Sequence, residues 1–310
     1  MKSALLFSGQ GSQYVGMMKD ISEQIPPALE FIHQADEILA YKLSEICFNG
    51  PIETLKETRY TQPAIFLHSS LIMNLLKNKL EFNATAGHSV GEYAALLASG
   101  VLGFEDTLKL VSLRGELMFK AGENEPGTMF AVINLDDNKV EEVCKRLSEN
   151  GNGNVVVAAN YNSPGQIVVS GSAQYLRENA SAFKEAGAKL VKELVVSGAF
   201  HSPLMEPAKK ELEIAINNTE FHNAKMPVYC NVYAKPLTDA NEIKDALIKQ
   251  LTSPVMWTQT MRQMKSDGFD SMIEIGPGNV LQGLAKRTIE GVNLSGMDKA
   301  EDIQEILNSK

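Results

Sequence analysis

Cysteine is scarce in this chain of 310 residues, which has only Cys47, Cys144 and Cys230, far apart. Three thiols cannot all pair within one chain, and no CxxC or Cys/His cluster offers a metal site. A disulfide-built scaffold and a zinc module are thereby excluded, and the thiols read as buried or idle in a reducing compartment. Long apolar runs are also missing. The longest, residues 94–104, is broken by Ser99, Gly100 and Gly103 and is too short for a bilayer. The apolar stretch after Met1 and Lys2 covers only residues 4–7, too little for a signal-peptide core. Basic charge is in deficit: 29 Lys and Arg against 38 Asp and Glu leave a net −9. Such a balance lacks the footprint of nucleic-acid binding. The expectation is a soluble cytoplasmic protein with neither nucleic acid nor membrane as partner.

What is present is a globular composition, 44% hydrophobic, enough for one large domain or two moderate ones. Short apolar runs alternate with helical patterns. Residues 4–7 and 84–87 read as strands, 92–98 and 105–120 as helices. Pro63 fits the first turn of a helix, with Thr61 or Gln62 near its cap. Residues 126–196 have a rhythm of their own. A strand at 129–133 precedes a helix that Asp136 can cap, with Val140, Val143, Cys144 and Leu147 at i, i+3, i+4, i+7. Strands at 155–159 and 167–170 follow, joined by the turn-rich link NYNSPGQ. A helix over 173–186 and a strand over 190–196 complete the order βαββαβ, a ferredoxin-like unit inserted in a larger α/β domain. Beyond it come helices from about 204, 241, 256 and 279 and strands at 228–231 and 272–275. Strands alternating with helices imply a mostly parallel sheet covered on both faces.

Gly87-His88-Ser89-Val90-Gly91 follows a strand and opens a helix, the context in which G-x-S-x-G holds a nucleophile on a sharp turn. The glycines allow neighbouring backbone to crowd the turn, and a helix N-terminus favours a nearby oxyanion. The other reading is a glycine-rich connection that happens to contain serine. A serine nucleophile needs a base. His33 and His68 lie inside helical patterns and His222 carries no special signal. His88 adjoins the serine and reads as support for the loop. His201, in SGAFHSP between a strand and a helix, stands ahead of them. No third, acidic member stands out, since Asp106, Asp136 and Asp137 all read as helix starts. A dyad can work if a carbonyl oxygen orients the imidazole instead. Arg114, by pattern alone, belongs to the solvated face of its helix. Asn160 reads equally well as an Asx-turn residue, and Phe200 as core filler.

The motifs FSGQGSQ (7–13), TQPA (61–64), GHSVGE (87–92), LRGELM (113–118), AFH (199–201), QLTSPVMW (250–257) and EIGPGNVL (274–281) recur in this order. Together they make the chain resemble the malonyl-CoA:acyl carrier protein transacylases, from residue 7 to about 287. The resemblance implies an α/β-hydrolase-like large domain, residues 1–125 and 197–310, with the ferredoxin-like unit at 126–196. It implies Ser89 as nucleophile, His201 as base, Gln250 as its orienting carbonyl, and the amides of Gln10 and Val90 as oxyanion donors. Arg114 would fork onto the malonyl carboxylate, a task suited to its planar donors. Met118, Phe200, Asn160 and His88 would line the acyl pocket, Phe200 against a branched α-carbon. Substrate and partner would be malonyl-CoA and acyl carrier protein, with no cofactor or metal, in a monomer. Lys189, Lys192, Lys286 and Arg287 are candidates for a basic patch receiving the acidic carrier. Two departures from the family pattern are Ser8, commonly proline, which suggests a looser first oxyanion loop, and Val90, commonly leucine. A serine esterase or thioesterase, a non-catalytic docking module and an acyltransferase serving a polyketide synthase are the competing readings.

Overall fold

The computed structural model describes residues 2–77 and 79–309. Its strands are β1 (Ser3–Phe7), β2 (Ala84–Gly87), β3 (Gly127–Ile133), β4 (Val156–Ser163), β5 (Gln166–Ser172), β6 (Leu190–Glu193), β7 (Val228–Tyr229), β8 (Pro236–Leu237), β9 (Ser271–Ile275) and β10 (Asn293–Met297). They form two sheets in a mixed α/β fold. The larger has the order β10-β9-β1-β2-β7-β8 and is parallel except for the β7–β8 edge. The smaller, β4-β5-β3-β6, is antiparallel throughout.

The central strand β1 shows why the larger sheet must be covered on both faces. Its alternate residues point to opposite sides. Leu5 and Phe7 join the core made with the helices Thr58–Leu75 and Phe104–Asn124, whereas Ala4 and Leu6 join Trp257, Met261 and Leu281. The smaller sheet is two-faced in the same way. Phe130 and Val132 pack on the helix Asp137–Glu149, while Met129 and Val168 turn toward the large core. Asp136 caps that helix through Asn138 N. Backbone ties β4 to the segment that precedes the helix Trp257–Ser266: Tyr161 N donates to Val255 O at 2.9 Å, and Val255 N to Ala159 O at 2.8 Å.

Several boundaries differ from the sequence expectations. The helix holding Pro63 begins at Thr58, so the proline lies inside it. The missing N–H costs one ladder bond there, and the added turn brings Gln62 inward. The NYNSPGQ link is mostly strand: Asn160, Tyr161 and Asn162 belong to β4, and only Pro164-Gly165 turns. Asn160 is therefore not an Asx-turn residue. The stretch 173–186 is two helices, Ala173–Asn179 and Ser181–Glu185. β6 ends at Glu193 instead of 196, and β7 spans two residues instead of four. Strand β10 and the helix Ala300–Asn308 were not expected at all. Among the described residues no helix is long and apolar enough to cross a membrane.

Candidate active site

The site forms where loops leave the C-terminal ends of the parallel strands, the usual crevice of an open α/β sheet. From β1 come Ser8, Gly9 and Gln10; from β2 come His88 and Ser89; from β7 comes Asn231. The turn after β2 is unusually tight. A Cβ on Gly87 would lie 2.0 Å from the carbonyl of Gly91, and one on Gly91 would lie 2.2 Å from Phe7 O. Both positions accept only glycine. Ser89 sits in the left-handed region at φ 52°, a conformation that costs a non-glycine residue energy and is tolerated where the surroundings fix it. The turn thus lifts the serine hydroxyl above the sheet edge and starts the helix Gly91–Ala98.

The Ser89 hydroxyl meets two partners. Oγ lies 2.8 Å from His201 Nε2, and Arg114 Nη2 donates to it at 3.1 Å. His201 Nδ1 lies 3.0 Å from the backbone carbonyl of Gln250. A carbonyl can only accept, so Nδ1 carries the proton and Nε2 is free to accept from Ser89. His201 is itself held at φ 56° and is 3% exposed. Burial and the neighbouring Arg114 guanidinium push its pKa down to about 3, so the ring is neutral at ordinary pH.

Arg114 is 1% exposed, not on a solvated face. Its Nη1 donates to Gln62 Oε1 and its Nη2 to Gln250 Oε1 at 3.0 Å. Its Nε has no partner. Among the described residues no carboxylate forms an ion pair with it. A buried cation held by neutral groups, two amides and a hydroxyl, is costly unless an anion comes to it.

Ser89, His201 and Arg114 all line one cavity of about 160 Å³, with Gln10, Val90, Met118, Phe200, Asn160 and His88. That space suits a short acyl group and is far smaller than drug-sized ligand pockets. Gln250 stands behind it, reaching the site through the carbonyl and amide described. The backbone N–H groups of Gln10 and Val90 donate to no acceptor among the described residues. The His88 ring turns away from Ser89: its Nε2 lies 2.9 Å from Asn162 Oδ1, and its edge meets Trp257. Met118 Sδ accepts from Gln62 Nε2 at 3.2 Å. Ser8 is fully buried, and its hydroxyl donates to Glu274 Oε1 at 3.1 Å. This side-chain tether fixes the start of the loop.

Sequence reasoning missed three residues. Gln62 belongs to the TQPA motif, and by pattern it reads as a helix cap. Glu92 closed the GHSVGE motif without a role. Asn231 was read as the end of a strand. Their only signal was a polar type beside an apolar run, and such residues are buried only when hydrogen-bonded.

Comparison with known proteins covers almost the whole chain. The family model described as acyl transferase domain matches residues 4–305. A malonyl CoA-acyl carrier protein transacylase of Haemophilus influenzae is 40% identical over 99% of both chains. One of Staphylococcus aureus is 42% identical over 98% of this chain and 97% of its own. An acyl carrier protein S-malonyltransferase of Vibrio cholerae superposes with a TM-score of 0.93 at 39% identity, covering 99% of this chain and 100% of the other. A malonyl-transacylase solved in complex with a type II PKS acyl-carrier protein gives 0.94 at 35% identity, with both chains fully covered. With likeness in sequence and backbone running from end to end, the chain belongs to the acyl transferase domain family and, within it, to the malonyl-CoA:acyl carrier protein transacylases.

Proposed function

We propose that the protein transfers the malonyl group of malonyl-CoA to the phosphopantetheine thiol of acyl carrier protein, for fatty acid synthesis, through a malonyl ester of Ser89. The observation that carries this reading is the convergence of a hydroxyl, a neutral imidazole and a buried guanidinium lacking an ion-pair partner on one small cavity. The Ser89 oxygen attacks the thioester carbonyl while His201 Nε2 takes its proton. The oxyanion is held by the amides of Val90 and Gln10, both free to donate. One such donor is worth roughly 3–4 kcal/mol in comparable sites. Collapse breaks the C–S bond, and His201 returns the proton to the departing CoA sulfur. The carrier thiol then repeats the steps in reverse order, giving ping-pong kinetics.

Arg114 receives the free carboxylate of malonate. Its Nε is without a partner, and the Nη2 hydrogen that now reaches Ser89 Oγ becomes available once that oxygen is acylated, so the two donors form a bidentate pair with the carboxylate. Gln250 O takes the place of a triad acid at His201 Nδ1. Phe200 and Met118 wall the acyl pocket, and Phe200 crowds a branched α-carbon, a preference of about 1–3 kcal/mol per methyl. His88 and Asn160 also line the pocket. The thioester arrives already activated, so the chemistry calls for no cofactor and no metal.

The same reading extends to architecture. The large unit, 1–125 with 197–310, is α/β-hydrolase-like; its nucleophile turn after β2 supports this. The unit 126–196 is ferredoxin-like; its βαββαβ order and β4-β5-β3-β6 sheet support that. The protein acts as a cytoplasmic monomer. Incubation with malonyl-CoA, with and without carrier protein, tests the function. Transfer predicts malonyl-carrier in one arm and little free malonate in the other. Equal release of malonate in both arms would make the protein a hydrolase.

A further inference from the structure

The backbone around Ser89 is held by side chains from two distant parts of the chain. Ser89 N donates to Asn231 Oδ1 at 2.7 Å, and Asn231 Nδ2 donates to Gly87 O at 2.7 Å. One side-chain amide therefore spans the turn on both sides of His88. Gln250 Nε2 donates to Ser89 O at 3.1 Å. Glu92, 2% exposed, links the two residues: its Oε2 accepts from the Gln250 side-chain Nε2 at 2.7 Å and from the Asn231 backbone N–H at 3.2 Å.

We infer that Glu92 and Asn231 are positioning residues that, with the Gln250 side chain, clamp the Ser89 peptide at both ends and commit its amide to Asn231. This rests on Ser89 being the nucleophile. The clamp has two consequences. It offsets the strain of the left-handed serine, since it satisfies Gly87 O, Ser89 N–H and Ser89 O in that conformation. It also removes Ser89 N–H from the donors that could compete for the oxyanion, leaving the Val90 amide as the one aimed at the cavity. The Glu92 carboxylate acts as an acceptor for two N–H groups and touches neither Ser89 Oγ nor His201. Its pKa is pushed up to about 7 by burial, and one oxygen remains an acceptor in either protonation state.

Single-turnover acylation of Ser89, followed by intact mass with malonyl-CoA and with acetyl-CoA, tests the clamp. Asn231→Ala is expected to slow acylation by about 10- to 100-fold with both donors, because misplacing a reacting atom by about 1 Å costs up to about 10²-fold. KM for malonyl-CoA should stay within about threefold. Glu92→Ala should lose about tenfold in the same pattern, and Glu92→Gln, which keeps an oxygen acceptor, should restore the rate to within about threefold. Asn231→Ser, with a hydroxyl too short to span the turn, carries the same expectation should the alanine variant not fold. Wild-type rates in the Asn231 variants would overturn the proposal. So would a loss confined to malonyl-CoA, which would place the effect on Arg114, or a Glu92→Gln variant as slow as Glu92→Ala. Ser89→Ala serves as the separate control: an adduct on that variant would refute the nucleophile itself, whereas a fully active Asn231→Ala refutes only the clamp.

Discussion

Two side chains at the site are defined by what surrounds them. Arg114 is a buried cation whose neighbours are the amides of Gln62 and Gln250. Replacing it by Ala should lower kcat/KM for malonyl-CoA by about 10²–10⁴, the cost of leaving a buried carboxylate unpaired. Activity toward acetyl-CoA should change far less, so the ratio of the two kcat/KM values measures the carboxylate contact directly. His201 is depressed to about 3 by burial and by Arg114. Its native pKa lies below the ordinary 6.5, so the ring stays neutral down to about 3. Hence kcat/KM should show no fall near pH 6.5, and a limb there would contradict the placement. In Arg114→Met one cause of the depression is gone, and the acid limb should move upward. The same shift has a stability consequence. The histidine's contribution is full above 6.5 and is lost as pH falls toward 3, because the unfolded ring takes up a proton first. At this scale the sequence was only partly legible. Serine and histidine announced themselves by their turns. Arg114 looked solvated by pattern, because helical periodicity says which face a residue lies on and not which cavity that face borders.

The elements owe their positions to close backbone approach. β2 can be short and small, Ala-Thr-Ala-Gly, because the helix Gly91–Ala98 returns directly against it. Gly91→Ala would place a methyl 2.2 Å from Phe7 O. The expected penalty is at least about 3 kcal/mol, read as a fall of roughly 6 °C or more in Tm; an unchanged melt would contradict the tight crossing. Most strands and helices could be read from apolar period and capping residues, as Asp136 illustrates. The misreadings have local causes. Pro63 resembles a helix start because proline lacks the N–H that an interior position needs, yet its helix is stabilised by burial from Thr58 onward. Asn160, Tyr161 and Asn162 look like a loop because asparagine is poor in strands, yet pairing with β5 and the bridge to Val255 hold them extended.

At the scale of the molecule, the cavity is walled by the small antiparallel sheet on one hand and by loops and a helix around the larger sheet on the other. Met129, Asn160 and Val168 come from the small antiparallel sheet, and Gln10, Ser89 and Arg114 from the larger unit. No pattern along the chain encodes that meeting, which arises from tertiary packing and from the backbone link at Val255. Lys189 and Lys192 on one unit and Lys286 and Arg287 on the other are exposed. An acidic carrier docking there would be drawn by charge. Raising the salt from low to high should then increase KM for carrier protein while leaving the malonyl-CoA half-reaction nearly unchanged. A KM for carrier that is indifferent to salt would remove charge from the docking account.

The central claim is that the hydroxyl of Ser89 carries the acyl group between two thiols. Intact-mass analysis of the protein mixed with malonyl-CoA alone tests it most directly. The account predicts a gain of one malonyl group, located on Ser89, lost on addition of carrier protein and absent in Ser89→Ala. An unmodified wild-type protein that nevertheless transfers malonate, or a Ser89→Ala variant that still carries the group, would contradict it.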